Sequence, residues 1–125
     1  MSNDTVVPAK VTATIYAGAT FRRGWLRKVD SVDDDYTGCT AVVEIRDGTT
    51  NDLLTTLSTD NGGINFEGGR LELYIDHTGA SALTPFTSAI GHVEVRRPWG
   101  DVERQYEVSF SYSAQKTEVD PPELP

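Results

Sequence analysis

The chain has one cysteine and two histidines among its 125 residues. A single cysteine forms no internal disulfide, so the fold needs no oxidative staple and reads as the product of a reducing cytoplasm. His77 and His92 alone do not make an ordinary zinc site without help from carboxylates or the cysteine. No GxSxG elbow frames Ser81 or Ser88. GGINFEGG is rich in glycine but has no phosphate-loop lysine and no strand-loop-helix setting, and it reads as two hairpin turns. No apolar run approaches the roughly 18 residues of a membrane-crossing helix. The opening MSNDTVVPAK has neither the basic nor the apolar region of a secretory leader. These shortages leave no catalytic, cofactor-binding or metal-binding residue to assign, and the expectation is a chain that is not an enzyme and uses no cofactor.

Basic residues are also scarce. Eleven Lys and Arg stand against nineteen Asp and Glu, for a net charge of −8. General nucleic-acid binding needs Lys and Arg to dominate, and an anionic membrane surface selects the same sign, so both partners are excluded as expectations. Charged residues make up 24% and hydrophobic residues 38%, which fits one globular domain with one core.

What the sequence has in quantity is alternation. In DVERQYEVSFSY, Val102, Tyr106, Val108 and Phe110 share one face with Arg104 and Tyr112. Glu103, Gln105, Glu107, Ser109 and Ser111 share the other, as in a long half-buried strand. RLELYID, GHVEVRR, TAVVEIRD and KVTATIYAG repeat the pattern, ATFRRGWLRKV follows it less cleanly, and NDLLTTLST and GINFEG add two short strands. Asp47-Gly48, Asn61 to Gly63, Gly68-Gly69 and Pro98 to Asp101 supply turn chemistry between them, and EGGR and RPWGDV read as hairpins. The expected fold is an all-β antiparallel sandwich of about 7–9 strands. One short helical turn is expected near residues 78–84, with Thr78 as N-cap and Pro85 as its stop. Residues 1–8 read as an extended N-terminal arm, 9–115 as the sandwich, and the acidic, proline-rich 116–125 as an extended, mobile tail.

SVDDDYTGC, Ser31 to Cys39, is the stretch that most resembles chemistry. Adjacent aspartates on an extended chain point in alternate directions, and the spacing of a calcium loop is missing, so Asp33, Asp34 and Asp35 read as a solvated loop. Cys39 reads as a small buried hydrophobe just before a strand. Basic residues collect in two places. Arg22, Arg23, Arg27 and Lys28 surround Trp25, while Arg96, Arg97 and Arg104 lie near Trp99. Arginine beside tryptophan suits protein interfaces and nucleic-acid stacking equally. The plainer reading of these arginines is cross-strand pairing with the many acids, and the net charge favours a protein interface over nucleic acid. Arg22, Arg23, Trp25, Arg27, Arg96, Arg97 and Trp99, with Pro121 and Pro122 of the tail, are the candidate protein-interface residues.

The order of these pieces carries a resemblance. YAGATF is followed by YTGCTAVVEIRDG, LLTTLSTDNGGINFEGGRLELYID, ALTPF and GHVEVRRPWGDVERQYEVSFSYS. This resembles the small β-sandwich proteins encoded among the structural genes of tailed bacteriophages and prophages. Members share a Y-x-G-x-T-F opening, a strand ending I-R, a G-x-I-x-x-x-G-x-L-x-L-x-I pair and a closing G-x-V-x-R strand. The match runs from about Thr12 to Ser113. Val108 stands where many members have a glycine, which puts in doubt a bulge there, and Tyr36 replaces the usual leucine before Thr37-Gly38.

The resemblance implies an immunoglobulin-like sandwich serving as a structural protein of the virion. It would be an adaptor or accessory component at the tail, baseplate or neck-fibre region, with other virion proteins as partners and a homo-oligomer within the assembly. Two alternatives use the same fold. One is a capsid decoration protein. The other is a carbohydrate- or host-surface-binding module, with Tyr74, Trp25 or Trp99 stacking on sugars. A hydrolase would need two carboxylates converging about 5–10 Å apart, which the sequence does not place.

Overall fold

A computed structural model describes residues 5–114. Most of the N-terminal arm and the C-terminal tail, with Pro121 and Pro122, lie outside the described residues. The chain folds as a β-sandwich whose core is shared by two sheets, as the alternation predicts.

The larger sheet has the order β1 (Ala9–Tyr16), β10 (Val102–Ser113), β9 (Ser88–Arg96), β5 (Thr40–Asp47), β6 (Leu53–Ser58). The smaller has the order β2 (Phe21–Leu26), β8 (Arg70–Ile75), β7 (Ile64–Glu67). A third, two-stranded ribbon pairs β3 (Lys28–Val29) with β4 (Val32–Asp33). All pairings are antiparallel except β1 with β10, which is parallel. No hairpin joins those two strands, so nothing forces them to run in opposite directions.

Each strand buries one of its two residue sets. Val93 and Val95 of β9, Val43 and Ile45 of β5, and Val108 and Phe110 of β10 meet Leu71 and Leu73 of β8 and Ile64 of β7 in one core. Aromatic pairs tie the sheets together. Phe21 lies 6.2 Å from Phe110, and Trp25 stacks on Tyr106 at 5.2 Å between ring centroids. Gly91 marks the closest packing, since a Cβ there would meet Val43 Cγ2 at 2.6 Å.

Two expectations are corrected. The short helix α1 is His77–Ala82, and its N-cap is Asp76, whose carboxylate accepts from Gly79 N at 2.7 Å, so Thr78 lies inside the first turn. The aspartate two residues earlier reaches the third helical amide with its carboxylate oxygen. The closing strand is also not strictly alternating. The register of β10 against β9 shifts between Arg104 and Tyr106, and Gln105 and Tyr106 are both buried. This bulge reverses the faces upstream of it. Val102 and Arg104 turn outward, while Glu103 and Gln105, expected outside, turn inward. A regular strand would bury the Arg104 guanidinium and expose Glu103. The bulge sends Arg104 to Glu94 at 3.4 Å on the outer face and brings Glu103 to Arg97.

Candidate interaction site: two hairpins on a buried ionic clamp

Two hairpins rise from one pole of the sandwich. In the first, β9 turns into β10 through Pro98, Trp99 and Gly100. Gly100 N donates to Arg97 O at 2.9 Å, and Arg97 N donates to Asp101 O at 2.8 Å. Pro98 presets the first turn residue, and Gly100 takes φ of +101°, which a side chain would disfavour. In the second, β3 turns into β4 through Asp30 and Ser31, both with left-handed φ, 52° and 69°. Two such residues in a row match the twist of a two-residue hairpin, although glycine or asparagine usually supplies them. Asp34 N donates to Arg27 O at 2.9 Å, which extends the ribbon by one pair at its base.

The bases of the two hairpins are joined by charge. Asp34 Oδ2 accepts from Arg97 Nη2 at 2.8 Å and from Arg27 Nη1 at 2.6 Å. Arg97 also donates through Nε and Nη2 to the two Glu103 oxygens, at 3.1 and 3.0 Å, and through Nη1 to Asp35 O at 3.1 Å. Gln105 donates to Glu103 Oε1 at 2.9 Å and accepts from the Tyr36 hydroxyl at 2.6 Å. The Tyr36 ring stacks on Phe66 of β7 at 4.4 Å, with the Arg97 guanidinium 5.7 Å from its centroid. Two cations, two carboxylates and two neutral polar groups therefore satisfy one another in the interior.

Ionisation follows from these contacts. Burial works to raise the Asp34 pKa, but hydrogen bonds and charge from Arg97 and Arg27 outweigh it and hold the carboxyl below its ordinary range. Glu103 behaves likewise. Burial raises it, and Arg97, Gln105 and Arg27 bring it below. Burial opposes the charge on Arg97, yet Asp34 and Glu103 hold its proton more firmly than usual. Burial pushes the Tyr36 phenol upward. Both carboxylates are thus locked as partners of arginine, an arrangement suited to fixing two loops and unsuited to moving a proton.

The structure sorts the candidate interface residues into two groups. Arg97 is 6% exposed and belongs to the clamp, and Arg27 shares that role, so neither offers a free surface. Trp25 packs against the core beneath Arg23, and its Nε1 is buried without a hydrogen-bond partner among the described residues. The physical reason is period two. Arg97 continues the inward set of Val93 and Val95, and Trp25, like Phe21, stands opposite a buried residue of β8, although Arg23 between them reaches solvent. Arg22, Arg23, Arg96 and Trp99 are exposed. Arg22 reaches Glu72 at 3.3 Å and covers Tyr74, and Arg23 Nε donates to Thr12 O on the open edge of β1 at 3.3 Å. Trp99 is 67% exposed at its hairpin tip, where Nε1 donates to Asp101 Oδ2 at 3.1 Å.

The three aspartates separate in the same way. Asp33 pairs with Lys28 in solvent at 2.9 Å, and Asp35 accepts from Thr37 N at 3.0 Å in a local turn. Asp34 corrects the solvated-loop reading, since it is buried between two arginines. Cys39 is half-buried near Arg97, with Sγ 3.7 Å from Nη1. Among the described residues no group of three or more His, Cys, Asp or Glu is placed to hold a metal ion.

An open groove of about 580 Å³ lies on the outer face of the five-stranded sheet. Its charges already pair across it. Arg46 meets Glu44 at 2.8 Å, and Arg104 meets Glu94 at 3.4 Å. Comparison with protein-family models finds no match for this chain, and comparison with curated proteins finds none either.

Proposed function

We propose that this chain is a structural protein of a tailed-bacteriophage particle, an adaptor held by protein–protein contacts in the tail, baseplate or neck-fibre region. The observation that carries the reading is the hairpin pole, where a buried ionic clamp fixes two loops relative to each other while their tips face solvent. Loops that only connect strands need no such anchor, whereas docking loops gain affinity from being preorganised. The tips carry Trp99 and, on the ribbon, Val29 and Val32, all exposed. Exposed tryptophan is a common anchor of protein interfaces. The resemblance to phage sandwich proteins supports the same reading, which assigns no reaction to the chain.

Trp99 also favours a second reading, a glycan-binding module, because an exposed indole beside the Asp101 carboxylate could stack on a sugar ring. Electron microscopy and mass spectrometry of purified particles decide between them. Density for the chain on the particle is the expected result, and its position separates tail, baseplate and neck from capsid decoration. A monomeric protein absent from particles overturns the structural reading. A Trp99-dependent signal on a glycan array would then carry the second.

A further inference from the structure

We propose that the hairpin pole docks a protein partner whose contact surface is apolar at its centre and basic around it. This rests on the assembly reading above and adds to it the surface and the chemistry of the partner. Val29 and Val32 are cross-strand partners on a ribbon of two residues per strand, and they are 45% and 67% exposed. Their tip is held by Asp30 and Ser31 in left-handed backbone that non-glycine residues adopt at a cost. Strained turns of this kind concentrate at ligand clamps. Trp99 stands on the neighbouring hairpin, and its ring lies 5.8 Å from the Arg97 guanidinium that ties the two hairpin bases together. The apolar groups are therefore carried on one rigid support.

Charge selects the partner. Inside the clamp Arg27 and Arg97 offset Asp34 and Glu103, and on the ribbon Lys28 offsets Asp33. Asp30, Asp35 and Asp101 are exposed and make no ion pair among the described residues. The exposed cation on the ribbon is Lys28, already paired with Asp33, while Arg96 lies opposite Thr40 and Val102 and points to the outer face of the sheet. The pole is thus apolar with an acidic border. Lys and Arg around an apolar patch complement it, and nucleic acid or the same pole of a second copy is repelled.

The test uses particles containing the full chain. A photoreactive benzoylphenylalanine is placed at Val32, at Trp99 or, as a control, at Ser109 on the outer face of the large sheet. Irradiation is expected to join positions 32 and 99 to Lys- and Arg-bearing peptides of one other particle protein, and position 109 to none of them. The triple variant Asp30→Lys, Asp35→Lys, Asp101→Lys is expected to lower incorporation on the order of ten-fold, with the thermal midpoint measured beside it because Asp35 and Asp101 each accept a local hydrogen bond. If the triple variant loses its midpoint, Asp30→Lys alone at the ribbon tip replaces it, with a smaller drop in the same direction. Incorporation unaffected by charge reversal overturns the proposal. So do cross-links from the pole only to this chain's own peptides or to glycan, and cross-links from the control position alone. In each of these cases the chain remains in the particle, so the assembly reading stands. Absence of the chain from particles overturns both.

Discussion

Asp34 lies between two guanidinium groups, and an amide in its place returns neither charge. Asp34→Asn is expected to destabilise the fold by about 3–5 kcal/mol in urea unfolding at neutral pH, because Arg97 then stays buried with half its compensation. Asp33→Asn, which breaks only an exposed pair with Lys28, is expected to cost less than about 1 kcal/mol. The contrast between adjacent aspartates is the check on the clamp. Its pH dependence has a definite sign. The folded pKa values of Asp34 and Glu103 lie below the ordinary 3.8 and 4.5. Their contribution is therefore complete above those ordinary values and is lost as pH falls through them toward the folded values. The urea midpoint should decline in that acid range, and less steeply in Asp34→Asn. Gly91 gives a different test. Gly91→Ala drives a methyl into Val43 and Phe110 and is expected to cost about 1–3 kcal/mol in the same assay. The sequence did carry a signal for part of the clamp. Arg97 keeps step with Val93 and Val95, and Asp34 keeps step with Tyr36. What hid it is that a charged residue at an inward position is legible only when its counter-charge is known, and Asp34 is 63 positions away.

At the scale of elements, β10 shows why alternation alone misassigns faces. The bulge at Gln105 needs no glycine or proline, so nothing in the local sequence announces it. It is fixed by partners on other elements, Arg97 and Tyr36. Gln105→Leu leaves the Tyr36 hydroxyl without its acceptor and is expected to cost about 1–3 kcal/mol. Tyr36→Phe in the same chain should recover part of that loss, which a double-mutant cycle in urea measures. The hairpins around Gly68-Gly69 and Pro98 to Asp101 were legible because their turn residues are local. The helix was legible to within two residues at each end, and only its cap moved, from Thr78 to Asp76. Edge strand β1 raises a separate point. Arg23 occupies the outward carbonyl of Thr12, a position that an added strand would use. Arg23→Ala is expected to leave thermal stability within about 0.5 kcal/mol and to raise self-association, read by sedimentation at increasing concentration.

For the molecule as a whole, the sandwich was legible because two faces of unlike polarity repeat in strand after strand. The pairing order was not, since the edge partner of β1 lies 97 positions further along, as in the contact between Thr14 and Ser111. That pairing has a consequence for how the protein is made. At bacterial or eukaryotic elongation rates of roughly 10 residues per second, β1 leaves the ribosome on the order of ten seconds before the strand that will hold it. β9 emerges only near the end of that interval, a few residues ahead of β10, which must enter between it and β1. The nascent chain therefore carries an unpaired β1, and its large sheet closes only after β10 has emerged. The exposed Lys10, Thr12 and Thr14 that alternate with Val11, Ala13 and Ile15 keep that waiting strand wetted on one side, so the polar face that solvates the finished edge also protects the unfinished one.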